Sequence, residues 1–340
     1  MASPTQRVIG PADMAQLTRE AFGPGMDVVA ARPLSGGGFA AVFRLELSDG
    51  RTVVLKVGPP PEARLLRYEQ GIIGAEARYL RRVAQASVSI PQPRLLHYGN
   101  GAPTFAGDWL FTEYISGIAL TELNDDANAD AGAPVRTDLG AAIARLHTIT
   151  GEHFGYDGAR AQAGTWPEAF TAIIEWLLAD AADWDIDLCV PPDRLRRVIA
   201  RNTGPLAAVD RPALVHFDLW DGNVLCTKQP DGRWGLNGLV DAERCLFGDP
   251  LIDFVSTALF RDIEREPDHP FLRGYAAQLG RPIGLGEPEL RRLTLYKIWL
   301  YLLMVTEMPS RGMTRQNEAW RAATLDELLQ RYVAEAESWG

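Results

Sequence analysis

Leu214-Val215-His216-Phe217-Asp218-Leu219-Trp220-Asp221-Gly222-Asn223-Val224-Leu225 is an apolar run, a polar interruption and a second apolar run. It reads as strand, loop and strand, with the polar groups presented at the loop. A further carboxylate, Asp241, closes the next short apolar run, Gly238-Leu239-Val240. A loop-capping aspartate or a turn asparagine would explain Asp218 or Asn223 taken singly. The ordered set His-x-Asp-x-x-x-x-Asn, then Asp at a strand end, is more specific. One carboxylate can face an attacking hydroxyl, while an amide oxygen and a second carboxylate are hard ligands for magnesium on phosphates.

Upstream, Ser35-Gly36-Gly37-Gly38-Phe39 separates apolar positions around Val28 to Leu34 from the alternating run Ala41 to Leu47. Three glycines fit a plain hairpin loop, and they also let backbone amides approach a phosphate. Asp49-Gly50 is a hairpin turn signal, and Thr52 to Val57 is a third strand. Lys56 is the single charge in that strand, so it must reach water or meet an anion. Glu69 to Ala86 has helical spacing of Ile72, Ile73, Ala77, Leu80 and Val83. Glu76 lies among these apolar positions and needs a partner there. Lys56 is the natural one, with Glu69 a rival for the role. Leu95-Leu96 and Trp109 to Ile115 supply two more strands, completing five. The segment Phe111 to Gly117, with Glu113 and Tyr114, becomes an extended connector able to offer backbone groups to an adenine edge.

Beyond the connector the composition shifts to helices. A polar loop spans residues 124–133, and helical stripes follow in Asp138 to His147, Pro167 to Trp184, Glu287 to Met308 and Glu318 to Trp339. Asp249 precedes Pro250 and a short helix and can cap it. Asp253, His147, His153 and His216 read as structural. The expected division is a nucleotide-binding unit over residues 1–115 and a helical unit over 116–340 carrying the catalytic loop and the acceptor site.

The 340 residues suffice for two units with a sizeable core. With 44 acidic and 34 basic residues, a nucleic-acid partner is not expected. Cys189, Cys226 and Cys245 form no Cys-x-x-Cys pair, so buried thiols in a reducing compartment are expected. Met1 to Asp13 carries no basic segment followed by an apolar one, and the run Ile298 to Val305 is far short of a bilayer span. No signal peptide and no membrane partner are therefore expected, and a cytoplasmic monomer or homodimer is.

These motifs together resemble the aminoglycoside phosphotransferase family, the small-molecule branch of the protein-kinase-like fold. The resemblance spans roughly residues 27 to 255, on Ser35 to Phe39, Lys56, Glu76, His216-x-Asp218-x-x-x-x-Asn223, Asp241 and Gly248-Asp249-Pro250-x-x-Asp253. It implies an α+β bilobal fold, with an antiparallel five-stranded N-lobe and a mainly helical C-lobe. It also implies transfer of the terminal phosphoryl group of ATP, or GTP, with Mg2+, to a hydroxyl of a small molecule. Asp218 is then the catalytic base, and Asn223 and Asp241 the metal ligands. Ser35, Gly36, Gly37, Gly38, Phe39, Lys56, Glu76, Phe111, Glu113 and Tyr114 are then nucleotide contacts. The run Asp241-Ala242-Glu243-Arg244 departs from the Asp-Phe-Gly of protein kinases, and no Ala-Pro-Glu segment occurs. The expected acceptor is an antibiotic of aminoglycoside, nucleoside or peptide type, the activity then giving resistance. Trp220, Asp221 and Trp184, with aspartates 180–187 around the last, are candidate acceptor contacts. The alternatives are a metabolic kinase of an amino sugar, fructosamine, choline-like alcohol or homoserine, and a nucleotide-binding module without turnover. The module is disfavoured because Lys56, Asp218, Asn223 and Asp241 are all present.

Overall fold

Alternation in the N-terminal strands sets the first layer, a five-stranded antiparallel sheet in the order β1-β2-β3-β5-β4. The computed structural model describes residues 3–34, 38–102, 105–124, 131–158 and 160–339. Ser35, Gly36 and Gly37, with most of the polar loop, lie outside the described residues. Helix α1 (Pro11–Phe22) precedes strands β1 (Val28–Pro33), β2 (Ala41–Leu47) and β3 (Thr52–Val57). Gly50 has φ +86° in the β2–β3 turn, a conformation that glycine enters without a Cβ clash. Helix α2 (Ile72–Gln85) leads to β4 (Leu95–Ala102) and β5 (Phe105–Glu113).

The sheet separates two apolar layers. Leu45, Leu55, Val57, Trp109 and Phe111 pack with Leu17 of α1 on one side. Leu110 joins the core on the α2 side. In register, Lys56 stands opposite Val42 on β2 and Leu110 on β5. Because successive side chains on a strand point to opposite faces, Lys56 and Leu110 face away from Phe111.

The helix carrying Glu76 begins later than its periodicity predicts. Gly71, with φ +67°, separates α2 from a short turn at Arg67–Glu69. Glu69 therefore belongs to the turn and Glu76 to the helix.

The chain then runs through β6 (Ile118–Ala119), α3 (Leu120–Asn124), α4 (Ala133–Leu146), β7 (Phe154–Tyr156), β8 (Arg160–Ala163) and α5 (Trp166–Asp183). Next come α6 (Pro192–Arg201), α7 (Thr203–Ala207), β9 (Ala213–Val215), β10 (Val224–Lys228), β11 (Trp234–Leu239) and β12 (Leu246–Gly248). Helices α8 (Leu251–Thr257), α9 (Pro270–Leu279), α10 (Glu287–Glu307) and α11 (Ala319–Glu337) close the chain. The opening stretch is thus β9, loop and β10, as its pattern predicts. Two small sheets, β11-β10-β6 and β8-β7-β12-β9, hold that loop from either side.

Every residue of α10 from Arg292 to Glu307 is buried, so this helix is the axis of the C-terminal layer. Helices α4 and α9 meet backbone to backbone. A Cβ on Gly140 would stand 2.0 Å from the Phe271 carbonyl oxygen, and one on Gly274 would stand 1.9 Å from that of Thr137. No helix among the described residues is long and apolar enough to cross a membrane.

Candidate active site

The catalytic loop is held by a buried carboxylate. Asp253 in α8 accepts from the backbone N–H of His216 at 3.1 Å and of Phe217 at 2.7 Å. His147, at the end of α4, meets the same carboxylate through Nε2 at 3.0 Å, and its Nδ1 meets the Tyr275 hydroxyl at 2.8 Å. Phe217 takes a left-handed backbone, φ +61°, and its ring stacks on Trp299 at 4.1 Å. Such a conformation is unfavourable for a bulky residue and persists only when its surroundings fix it. Here two hydrogen bonds and a stack do so, and the turn they hold carries Asp218. The Asp218 N–H donates to His216 Nδ1 at 3.3 Å. Burial lowers the His216 pKa, so the ring braces the loop as a neutral group.

Asp249 does a parallel job for the next segment. It accepts from the N–H of Leu251, the first residue of α8, at 3.1 Å and from the Tyr296 hydroxyl at 2.8 Å, and it pairs with Arg292 at 2.8 Å.

Asp218 opens onto a cavity of about 390 Å3. Burial pushes its carboxyl up to about 6, against the opposing charge of Arg244. The Arg244 guanidinium lies 3.8 Å from the Asp218 carboxylate and is anchored by Glu307 at 2.9 Å. The Asn223 amide donates to the Asp218 carbonyl at 2.9 Å, which leaves its amide oxygen as the group for a cation to meet. The Val240 N–H donates to the Asn223 carbonyl at 3.1 Å, tying β10 to the residue before Asp241.

Lys56 gathers three carboxylates. It pairs with Glu76 at 2.7 Å, with Glu243 at 2.6 Å, and with Asp241. Burial opposes the charge on Lys56, but these carboxylates hold its pKa well above the ordinary value. Burial likewise raises Glu76, and it pushes Glu243 to about 8 with the help of neighbouring Asp241. Asp241 behaves differently: Lys56 outweighs burial and keeps it below the usual range. One ammonium cannot neutralise three buried carboxylates, and Glu243 is the member that takes a proton most readily. One oxygen from each of Glu76, Asp241 and Glu243 lies within 4.8 Å of the others, but all three are paired with the Lys56 ammonium, so a cation drawing on Asp241 would take the Asn223 amide oxygen as its other hard ligand.

A second cavity, of about 460 Å3, adjoins the first under the five-stranded sheet. Glu113, Tyr114, Lys56, Glu76, Asn223 and Asp241 are on its wall. Gly38 and Phe39 line the first cavity, where Phe39 lies beneath the Arg311 guanidinium at 5.0 Å.

Three sequence expectations require correction. Phe111 does not reach the second cavity; strand alternation turns it into the α1 core, edge-on to Phe22 at 5.0 Å, and Leu110 and Thr112 line the cavity instead. Asp221 lines neither cavity, because Arg136 of α4 grips its carboxylate through two nitrogens at 2.6 and 2.5 Å. Trp184 lies under the Arg64 guanidinium at 4.3 Å, away from both cavities. The aspartates beside it are tied to Arg67, Asp180 at 2.5 Å and Asp183 at 2.7 Å. Trp220 lines both cavities. Glu69, the rival for Lys56, pairs with Arg311 at 2.5 Å instead. Glu243, Arg244, Glu307, Arg311 and Arg321 were not singled out as site residues. Glu307 and Arg311 carried a faint signal, as charges four apart at the end of an apolar helix.

Residues 30–295 match the phosphotransferase enzyme family (APH), and the chain belongs to that family. It is a small-molecule kinase with an α+β kinase-like fold. A probable ketoamine kinase of Lactiplantibacillus plantarum is 24% identical over 297 residues, 82% of this chain and 89% of that protein. The crystal structure of a putative fructosamine-3-kinase from Thermobifida fusca superimposes with a TM-score of 0.66 at 21% identity, covering 96% of this chain and all of that one (100%). The ternary complex of a thermostable aminoglycoside phosphotransferase APH(4)-Ia mutant with AMP-PNP and hygromycin B gives 0.59 at 19% identity, covering 96% and 99%. This kinship favours the metabolic alternative over the antibiotic acceptor expected above.

Proposed function

We propose that the protein transfers the terminal phosphoryl group of ATP to a hydroxyl of a ketoamine, a sugar–amine adduct. The observation that carries this reading is the charge balance of the Asp218 cavity. Lys56, Arg244, Arg311 and Arg321 share its wall with Asp218, Asp241, Glu243 and Glu307, so the charges of the two signs balance and the carboxylates are matched by cations, and Leu259, Leu300, Met304, Met308 and Met313 make much of the rest apolar. A polycationic aminoglycoside calls for an excess of free carboxylates, whereas a compact adduct with a sugar end and an amine substituent suits this mixed wall. The likeness to a probable ketoamine kinase supports the same class.

In this reading ATP occupies the second cavity, with its adenine edge along Glu113 to Ile115 and its phosphates at Lys56. Glu76 holds the ammonium in place. Asn223 and Asp241 would hold Mg2+, which supplies charge neutralisation on the phosphates. Asp218 accepts a hydrogen bond from the acceptor hydroxyl and orients its oxygen toward the phosphorus. The O–P bond to the acceptor forms as the bond to the ADP oxygen breaks, and the hydroxyl proton passes to Asp218 late in the transfer.

The test is an ATP-consumption screen across fructose–amine adducts, amino sugars, amino alcohols and aminoglycosides. Turnover concentrated in the adducts is expected. Turnover confined to aminoglycosides would overturn the reading while leaving the kinase assignment intact.

A further inference from the structure

Each arginine of the acceptor cavity has a carboxylate except one. Arg244 is paired with Glu307 at 2.9 Å, and Arg311 with Glu69 at 2.5 Å. Arg321, half-buried, lines the same cavity; its Nε has no hydrogen-bond partner, and among the described residues no carboxylate comes within ion-pair distance of it, Glu307 acting on it only from beyond contact. A guanidinium in that position carries a desolvation penalty that pairing would offset.

We infer that Arg321 is the recognition group for a carboxylate on the acceptor, so that the substrate is a sugar adduct of an amino acid rather than of a simple amine. The inference deepens the ketoamine reading and rests on it for the identity of the sugar end. Asp218 and Arg321 line one cavity: Asp218 can meet the hydroxyl, and Arg321 offers planar paired donors, the geometry a carboxylate matches with two parallel hydrogen bonds. Leu300, Met304 and Met308 line the same cavity and suit the carbon skeleton that joins a hydroxyl to a carboxylate. Arg244 and Arg311 cannot replace Arg321 in this role without giving up their own carboxylates.

Two measurements separate the anion site from the ketoamine reading. The first uses no turnover: hippurate and its uncharged amide are titrated into the protein, with tryptophan fluorescence as the readout because Trp220 lines the cavity. Hippurate should bind about tenfold tighter than the amide, the scale of one charge-assisted contact. The difference should vanish in Arg321→Gln and return in part in Arg321→Lys, with circular dichroism verifying the fold of each variant. Equal binding of acid and amide to the wild type, or an undiminished preference in Arg321→Gln, overturns the inference. The second compares fructosyl-glycine with fructosyl-glycinamide as acceptors. A KM advantage for the acid over the amide that disappears in Arg321→Gln is expected. If hippurate binds through Arg321 but neither adduct is phosphorylated, the anion site stands and the ketoamine reading falls. If both adducts are phosphorylated alike, the ketoamine reading stands and the carboxylate inference falls.

Discussion

Asp218 and Arg244 make a tuned pair, and their contact has kinetic consequences. Asp218→Asn keeps the shape of the loop but removes the acceptor for the hydroxyl proton. Turnover should fall by about two orders of magnitude or more with the melting temperature little changed, as steady-state kinetics and thermal unfolding would register. The acid limb is a separate matter. Burial holds the Asp218 carboxyl at about 6, and only the ionised form can take the proton, so kcat/KM should decline as pH falls through about 6. Arg244 works against burial by favouring the charged form. Arg244→Leu should therefore move the limb to higher pH, and a pH–rate profile in which the limb stays in place or moves down would refute the pairing. At this scale the sequence was legible where residue types recur in order along the chain: Lys56, Glu76, Asp218, Asn223 and Asp241 all come to the walls of the two adjoining cavities. It was misleading where partners come from far away. Nothing near Asp221 announces that Arg136, 85 residues earlier, occupies its carboxylate. Phe111 was lost to parity, since a one-residue offset on a strand exchanges core for cleft.

Among the elements, the α4–α9 crossing is the one on which the catalytic loop leans. Helix α4 supplies Arg136 to Asp221 and ends at His147, which braces Asp253. Glycines 140 and 274 let the two backbones touch, and an alanine at either would overlap a carbonyl oxygen of the other helix. Backbone atoms cannot rotate away as a side chain can, so the helices must part. Gly140→Ala should destabilise the fold by about 1–3 kcal/mol, the usual range for overpacking. Denaturant unfolding would measure it, and an unchanged midpoint would show that the crossing tolerates a wider spacing. Long elements such as α5, α10 and α11 were legible from periodicity. Strands of three residues, β7, β9 and β12, are too short for a period to register, apart from β9 with its apolar run beside the polar loop. The late start of α2 depended on one glycine in a left-handed conformation.

Across the whole molecule, the segment before α2 is clasped to the C-terminal layer. Arg67 reaches Asp180 and Asp183, Arg64 covers Trp184, and Glu69 meets Arg311. The acidic cluster at the end of α5 is thus a clasp between layers. Asp180→Ala removes the buried member and leaves the Arg67 backbone N–H without its acceptor. It should cost about 1–3 kcal/mol in stability, as an orphaned buried group does, with the acceptor KM altered by less than about twofold. A large rise in KM with unchanged stability would restore this cluster to the acceptor site. The two cavities, for their part, have Val42, Lys56, Trp220, Asn223 and Asp241 as a common wall. With donor in one and acceptor in the other, as proposed, phosphoryl transfer would be direct, without a phosphorylated enzyme between two half-reactions. An inhibitor that links an adenosine phosphate to a carboxylate-bearing sugar mimic would occupy both cavities at once. Each half would hold the other at an effective concentration of about millimolar, so the joined molecule should outbind either fragment by orders of magnitude.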